Sequence, residues 1–407
     1  MSRNILYRLE KIFILSPIIW TFSILFNVPD AKHILSRITI AAAVYCAFRF
    51  YPEWKEKIKT GEFKIISLSL FFPILYFLIM HYINGGNIDI SRTMFNCYLY
   101  LLFLPIKKIK RSDIAIIFII SGICSGISTI YYIFLLDEIR MGWKTINPIP
   151  YSYYSGLVII FSISFFVSYY LKQKPKNKLL LLSLTFSILG SLISIIYSET
   201  RSTWIALLLI LFLSIIKYNI SKKTFIIIPL LLTPLLLTDS VKSRYEKTLH
   251  EIQRIQSEDF NSSIGIRLKL WETGLSYFKD NPLIGMSNSE ELSKTQLAYN
   301  SKEISSTIYA FLYHSNSNYH NQYLQVLVKS GFLGLVVLII YISSIYLVSI
   351  KNKNLSLIIL TYTSIVIFFD SILLYNHVVY LYTLTLILIS CLNTSQPLNI
   401  EGSYNEK

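Results

Sequence analysis

Three polar residues, far apart in the chain, have side chains suited to one kind of chemistry. Arg201 stands in Ser198-Glu199-Thr200-Arg201-Ser202. Arg267 stands in Gly265-Ile266-Arg267-Leu268-Lys269-Leu270-Trp271, and His320 in Asn318-Tyr319-His320-Asn321-Gln322. Two guanidiniums can grip a diphosphate through forked, charge-assisted hydrogen bonds. A neutral imidazole can take a proton from a hydroxyl near neutral pH. Together they suit transfer of a sugar from a lipid-linked sugar diphosphate to a hydroxyl. The leaving group is already activated, so the reaction requires neither ATP nor metal. Taken singly, each residue has an ordinary explanation: a snorkelling interface anchor for Arg201, a solvated loop charge for Arg267, a solvated loop imidazole for His320. What joins them is topology.

The motifs of other chemistries are missing. The chain has no GxxxxGK phosphate loop, no HExxH, no Cys-x-x-Cys and no Asp-x-Asp pair. Cys46, Cys97, Cys124 and Cys391 all fall in apolar runs without zinc-type spacing, so neither a disulfide framework nor a structural metal is expected. No cofactor is implied.

The elements that must position the three residues are membrane helices. The chain of 407 residues is 53% hydrophobic and 15% charged, against roughly 25% charged in soluble domains. Apolar runs occupy 12–28, 33–50, 64–84, 91–106, 113–136, 151–171, 179–198, 203–216, 224–238, 331–350, 355–374 and 378–392. They predict an all-α polytopic membrane protein of about twelve transmembrane helices. Arg3, Arg8 and Lys11 precede the first run with no small-residue cleavage site after it, the pattern of an uncleaved signal anchor.

Lys and Arg alternate between the ends of these runs. Segments predicted on the inner side hold 22 basic residues, and the short outer loops hold six: Lys32, Arg37, Arg92, Arg140, Lys144 and Arg201. By the positive-inside rule both termini are then cytoplasmic. The inner segments also carry seven acidic residues, and 22 − 7 equals the whole formal excess of +15. The basic balance is therefore an orientation signal, aided by anionic lipid headgroups, and calls for no nucleic acid.

This topology divides the chain into helices one to nine (1–238), a loop at 239–322, helices ten to twelve (323–392) and a cytoplasmic tail (393–407). The loop is predicted to be periplasmic, and nine basic and ten acidic residues leave it nearly neutral. It shows two helical patterns, Val241/Tyr245/Leu249/Ile252/Ile255 and Leu268/Trp271/Leu275/Phe278, the second stopped at Asp280-Asn281-Pro282. Both are amphipathic and suited to the membrane surface. Arg201, Arg267 and His320 all fall on the outer face. Asp370, in the eleventh run, is a further candidate because an intramembrane carboxylate is functional by default; its ordinary reading is an ion pair with a membrane arginine such as Arg37. Tyr309, Tyr313, Tyr319 and Trp271 can stack on sugars or serve as interface aromatics.

The run His320-Asn321, nine residues, Gly331-Phe332-Leu333-Gly334 resembles the signature of bacterial O-antigen ligases, which join O-antigen to lipid A–core. Glu199-Thr200-Arg201-Ser202-Thr203-Trp204 and Gly265–Gly274 resemble that family's two arginine segments, in the same order. The local likeness covers roughly 190–335.

The resemblance implies a GT-C-type glycosyltransferase fold in the bacterial inner membrane, working at the periplasmic face without a metal and with inversion. The implied donor is O-antigen on undecaprenyl diphosphate, and the implied acceptor is a lipid A–core sugar. It implies that Arg201 and Arg267 hold the diphosphate and that His320 activates the acceptor hydroxyl, with Asp370, Asn321 and Trp271 in support. Gly331 and Gly334 are expected to allow close helix packing. The rival readings are an O-antigen polymerase using the same donor and, in another class, a lipid-linked oligosaccharide flippase. A flippase needs no 84-residue outer loop.

Overall fold

The structure, a computed structural model, describes residues 3–85, 88–172, 177–218, 239–314 and 318–394. Every regular element among them is a helix. They are α1 (Arg3–Ile19), α2 (Lys32–Arg49), α3 (Tyr51–Lys57), α4 (Gly61–Asn84), α5 (Ile88–Phe103), α6 (Arg111–Thr129), α7 (Pro148–Lys172), α8 (Lys178–Ser198), α9 (Arg201–Tyr218), α10 (Asp239–Gln256), α11 (Ser263–Asp280), α12 (Asn288–Asn300), α13 (Ser306–Tyr313), α14 (Gln322–Val348), α15 (Lys353–Phe369) and α16 (Asn376–Thr394). Helices α1 and α6 run on through π-helical turns, Trp20–Ile24 and Ile130–Leu135. The predicted run at 224–238 and nearly all of the tail lie outside the described residues.

Among the described residues six helices are long and apolar enough to cross a membrane: Phe63–Asn84, Arg111–Leu135, Pro148–Tyr170, Lys178–Ser198, Gln322–Val348 and Asn376–Thr394. This is the pattern of a polytopic membrane protein. The other predicted runs among the described residues are helical but shorter, bent or less apolar. Helices α5 and α15 have 16 and 17 residues, about 24–26 Å at 1.5 Å per residue, where the hydrocarbon core is about 30 Å thick. Helix α2 turns by 94° into α3.

Small residues bring the helices of the bundle together. A Cβ on Gly190 of α8 would lie 2.4 Å from the carbonyl oxygen of Gly122 on α6. Beside this crossing the Ser125 hydroxyl donates to Ser194 Oγ at 2.8 Å, and Thr129 and Ser194 hydroxyls meet at 2.6 Å. Hydroxyls at small-residue crossings are the glue of such bundles.

Charged residues near the helix ends pair with one another. Residues assigned to the inner side pair at one end: Lys11 with Asp113, Arg49 with Glu10, Lys108 with Glu53. At the other end the termini of α4, α8, α9, α14 and α15 gather beneath α10–α13; Asn84 Nδ2, for example, donates to the carbonyls of Ile284 and Lys329 at 3.0 Å each.

The segment 239–322 folds into four helices rather than the two predicted. Helix α12 buries only Glu291, Thr295 and Ala298, so no apolar stripe marks it, and α13 is eight residues long. A small core of Leu270, Tyr277, Met286, Ile308, Leu312, Tyr319, Leu324 and Val328 holds this unit on the first turns of α14.

Helix α14 also differs from expectation. It begins at Gln322, nine residues before the predicted run, because Gln322, Gln325, Lys329 and Ser330 dilute the hydropathy of its first turns. Gly331 then breaks it, with φ 64° and ψ −165°. The break receives the loop after α11: Phe332 N–H donates to Pro282 O at 2.8 Å and Leu333 N–H to Leu283 O at 3.2 Å. A Cβ on Gly331 would sit 2.2 Å from Leu283 backbone atoms. Gly331 therefore admits a loop, not a neighbouring helix as predicted, and the space above Gly334 is taken by Ser330 and Val326 of its own helix.

Candidate active site

The site lies where the two arginine segments, the start of α14 and the end of α15 converge. Helix α15 stops at Phe369, earlier than the predicted 374. Asp370 is its extended C-cap residue, with φ −158°, and it is buried, its side chain 4% exposed. Its carboxylate holds two partners. Arg267 Nη2, on the first turns of α11, donates to Oδ2 at 3.2 Å, and His320 Nδ1 stands 3.3 and 3.4 Å from the two oxygens. The partner of Asp370 is therefore Arg267 and not Arg37. A buried carboxylate needs such a counter-charge, because desolvation otherwise costs several kcal/mol.

His320 is held by its backbone as well as its ring. Its φ is +49°, unusual for a residue with a Cβ and costing on the order of 1–3 kcal/mol. Its N–H donates to Asn318 Oδ1 at 2.9 Å. On one side, Tyr319 O accepts from Trp271 Nε1 at 3.1 Å, and Tyr319 N–H donates to Gln325 Oε1 at 3.1 Å. On the other, Asn321 caps α14 through its side chain, and its N–H donates to Ser371 Oγ at 3.1 Å. Trp271 and Asn321 thus fix the frame of the imidazole. With Nδ1–H directed at Asp370, Nε2 is the nitrogen left to accept a proton.

Arg201 opens α9 after a tight turn in which Glu199 takes a left-handed conformation, φ 51°. It does not touch Asp370. Its Nη1 and Nη2 donate to Glu251 of α10 at 3.1 and 2.6 Å, and Glu251 also accepts from Ile264 N–H at 3.1 Å. Glu251 so ties the start of α9 to the start of α11, the helix of Arg267. Burial raises the Glu251 carboxyl, but the Arg201 fork outweighs it and holds the group below its usual range.

Two further arginines complete the cluster. Arg140 donates from Nε and Nη2 to Ser198 O at 3.0 and 2.7 Å, and Arg244 from Nε to Glu199 O at 3.1 Å. Burial, with the charge of Arg244 next, pushes the Arg140 guanidinium down to about 10. Arg244 is lowered by burial and by Arg201. Both lie within electrostatic reach of Arg201 and Arg267. Four guanidiniums against Glu199, Glu251 and Asp370 give 4 − 3, a net +1, poised for an anion.

Sequence reasoning counted Arg140 only as an outer charge and passed over Arg244, Glu251 and Glu291. Glu291 is 0% exposed. It forms an ion pair with Lys329 of α14 and accepts from the hydroxyl of Tyr319, the neighbour of His320. Burial and then Glu291 hold that phenol well above its ordinary value, so it stays a donor. The sequence signal was Lys329, a lone cation just before the apolar run at 331–350. Tyr319→Phe leaves a buried carboxylate oxygen without its donor, which costs about 1–3 kcal/mol. Thermal unfolding in detergent should show that loss; an unchanged midpoint would mean that Glu291 and Tyr319 do not support each other.

Residues 186–339 match the family model described as O-Antigen ligase. That span contains Arg201, Arg267 and His320, while Asp370 and Arg140 lie outside it. An uncharacterized protein of Haemophilus influenzae is 27% identical over 327 residues, covering 75% of this chain and 77% of that one.

Proposed function

Because residues 186–339 match the model of the O-antigen ligase family, we propose that the protein transfers O-antigen polysaccharide from undecaprenyl diphosphate to a sugar hydroxyl of lipid A–core, completing lipopolysaccharide. The observation that carries this reading is the convergence of Arg267 and His320 on Asp370, with Arg201 in the adjoining cluster. Segments more than fifty residues apart supply a diphosphate grip and a proton acceptor at one place.

The proposed step is a single inverting displacement. The acceptor oxygen attacks the anomeric carbon while the bond from that carbon to the phosphate oxygen breaks. Undecaprenyl diphosphate leaves with the electron pair, and the acceptor proton passes to His320 Nε2. Asp370 holds the imidazole in the tautomer that leaves Nε2 free, the role a carboxylate takes beside a catalytic histidine. Arg267, which commits Nη2 to Asp370, has further donors for phosphate oxygens. Arg201 gives both Nη groups to Glu251, so a donor diphosphate competes with that carboxylate for the fork. Charge developing on the departing diphosphate is what preorganised guanidiniums stabilise best.

The membrane setting belongs to the same reading. About twelve spans, cytoplasmic termini, a periplasmic unit at 239–322 and a GT-C architecture put the cluster at the outer surface of the inner membrane. Donor and acceptor are both lipids presented there. No metal enters the step.

A deletion strain tests the assignment through its lipopolysaccharide, run on a gel beside its lipid-linked glycans. Rough lipopolysaccharide, with polymerised O-antigen accumulating on undecaprenyl diphosphate, is the expected result. Lipid A–core capped with a single repeat would instead make the protein a polymerase and leave the chemistry of the site standing.

A further inference from the structure

Outside the Arg–His–Asp centre one aromatic cluster has no role so far. Tyr299 lies at the end of α12, and Tyr309 and Tyr313 lie four residues apart on one face of α13. The three rings form a nearly parallel stack. Tyr299 and Tyr309 have centroids 4.4 Å apart and planes 24° apart; Tyr309 and Tyr313 are at 4.9 Å and 20°. His314 stands edge-on to Tyr309 and Tyr313. Tyr309 is the middle ring, so the outer faces belong to Tyr299 and Tyr313, which are 38% and 40% exposed. Planar amides border the stack: the Tyr309 hydroxyl donates to Gln296 Oε1 at 2.6 Å, and Gln296 Nε2 donates to Asn300 Oδ1 at 3.1 Å.

Packing accounts for the middle ring but not for the part-exposed rings at both ends of the stack, and grouped exposed aromatics mark a binding surface. A bilayer-interface belt fits poorly as well. Helix α12 carries Ser289, Glu290, Ser293, Lys294 and Gln296, which would not enter hydrocarbon. A sugar ring fits the surface better. Its C–H face lies on an aromatic ring, and its hydroxyl rim meets amides and an imidazole, the mix of apolar wall and few polar groups found in ligand sites.

The position selects which sugar. Phe311 lies two residues from both Tyr309 and Tyr313, about 200° around α13 and so on its opposite face. Its ring packs against the His320 imidazole, centroids 5.6 Å apart. The stack therefore stands on the far side of α13 from the group that takes the acceptor proton, with the width of the helix and the Phe311 ring between them. None of its residues belongs to the arginine cluster proposed for the donor diphosphate.

We propose that Tyr299, Tyr309 and Tyr313, with Gln296, Asn300 and His314, form a subsite for the acceptor oligosaccharide. It engages sugar units beyond the one whose hydroxyl reacts. This rests on the ligase reading for the identity of the acceptor and on the ring geometry for the presence of a site.

The test uses the full-length protein in detergent and core oligosaccharide released from lipid A, with Kd measured by calorimetry and transfer measured in parallel. Tyr299→Ala and Tyr313→Ala should each bind about tenfold more weakly, the loss of one aromatic contact. They should raise KM for the acceptor lipid by a similar factor, leaving kcat and the donor KM unchanged. Tyr313→Trp should bind like the wild type. Gln296→Leu, which leaves the rings in place, should also weaken binding. Wild-type transfer with unaltered Kd in both alanine variants would overturn the subsite while the ligase reading stands, as would a change in the donor KM in place of the acceptor KM. Oligosaccharide binding lost in those variants would support the subsite even if the wild type transferred nothing to lipid A–core, a result that would sink the ligase reading alone.

Discussion

Replacing His320 by alanine is expected to lower transfer by about 10²–10⁴-fold, the usual contribution of a general base, while the protein still folds and inserts. The argument is geometric. Asp370 faces Nδ1, so Nε2 is left to receive the proton of the acceptor hydroxyl. The surroundings over-determine the ring: a positive φ, a Trp271 bond to the preceding carbonyl and the α14 cap on the following residue all act within three positions. A histidine that merely faced solvent would not need that frame. The variant also removes little packing, since the ring's partners are Phe311 and the edge of Asp370. Transfer should be measured per correctly folded molecule, with the folded fraction taken from size-exclusion profiles. Wild-type transfer by well-folded His320→Ala protein would end the proton-acceptor role and return His320 to a loop residue.

Much of this site was legible in the sequence, for a physical reason. Arg201, Arg267 and His320 are polar residues that the hydropathy pattern and the Lys/Arg alternation predict on one membrane face, and the structure brings their segments together. Asp370 was visible as a carboxylate in an apolar run, though its partner was not, because pairing between helices leaves no trace in a single sequence. Helix α12 escaped for the same reason. It is anchored by a buried ion pair, Glu291 with Lys329, and not by an apolar stripe. Periodicity reports burial only when the buried residues are apolar. The start of α14 was misplaced because its first turns are a polar seam beneath α10–α13, where Gln322 and Gln325 accept from the N–H groups of Leu373 and Tyr319. The break at Gly331 likewise depends on a loop fifty residues earlier in the chain.

Asp370→Asn is expected to lower kcat by about 10²–10⁴-fold, comparable to loss of the histidine, although Asp370 itself would touch neither sugar nor phosphate. A carboxylate beside a catalytic imidazole selects its tautomer and stabilises the imidazolium that forms. Asparagine keeps the size, but it can offer an N–H to Nδ1 and so favour the wrong tautomer. A rival explanation is purely structural. Asp370 is buried and also holds Arg267, and removing one partner of such a pair can cost about 3–5 kcal/mol. Kinetics on the folded fraction separate the two. If Asp370 acts through His320, the variant loses kcat at saturating donor and keeps its donor KM. Arg267→Gln should do the reverse in part, raising the donor KM, because its guanidinium is proposed to meet the diphosphate directly. An Asp370→Asn protein with normal kcat and a raised donor KM would show that the carboxylate serves Arg267 alone. The proton would then have to leave the acceptor by a route in which His320 is not oriented by Asp370.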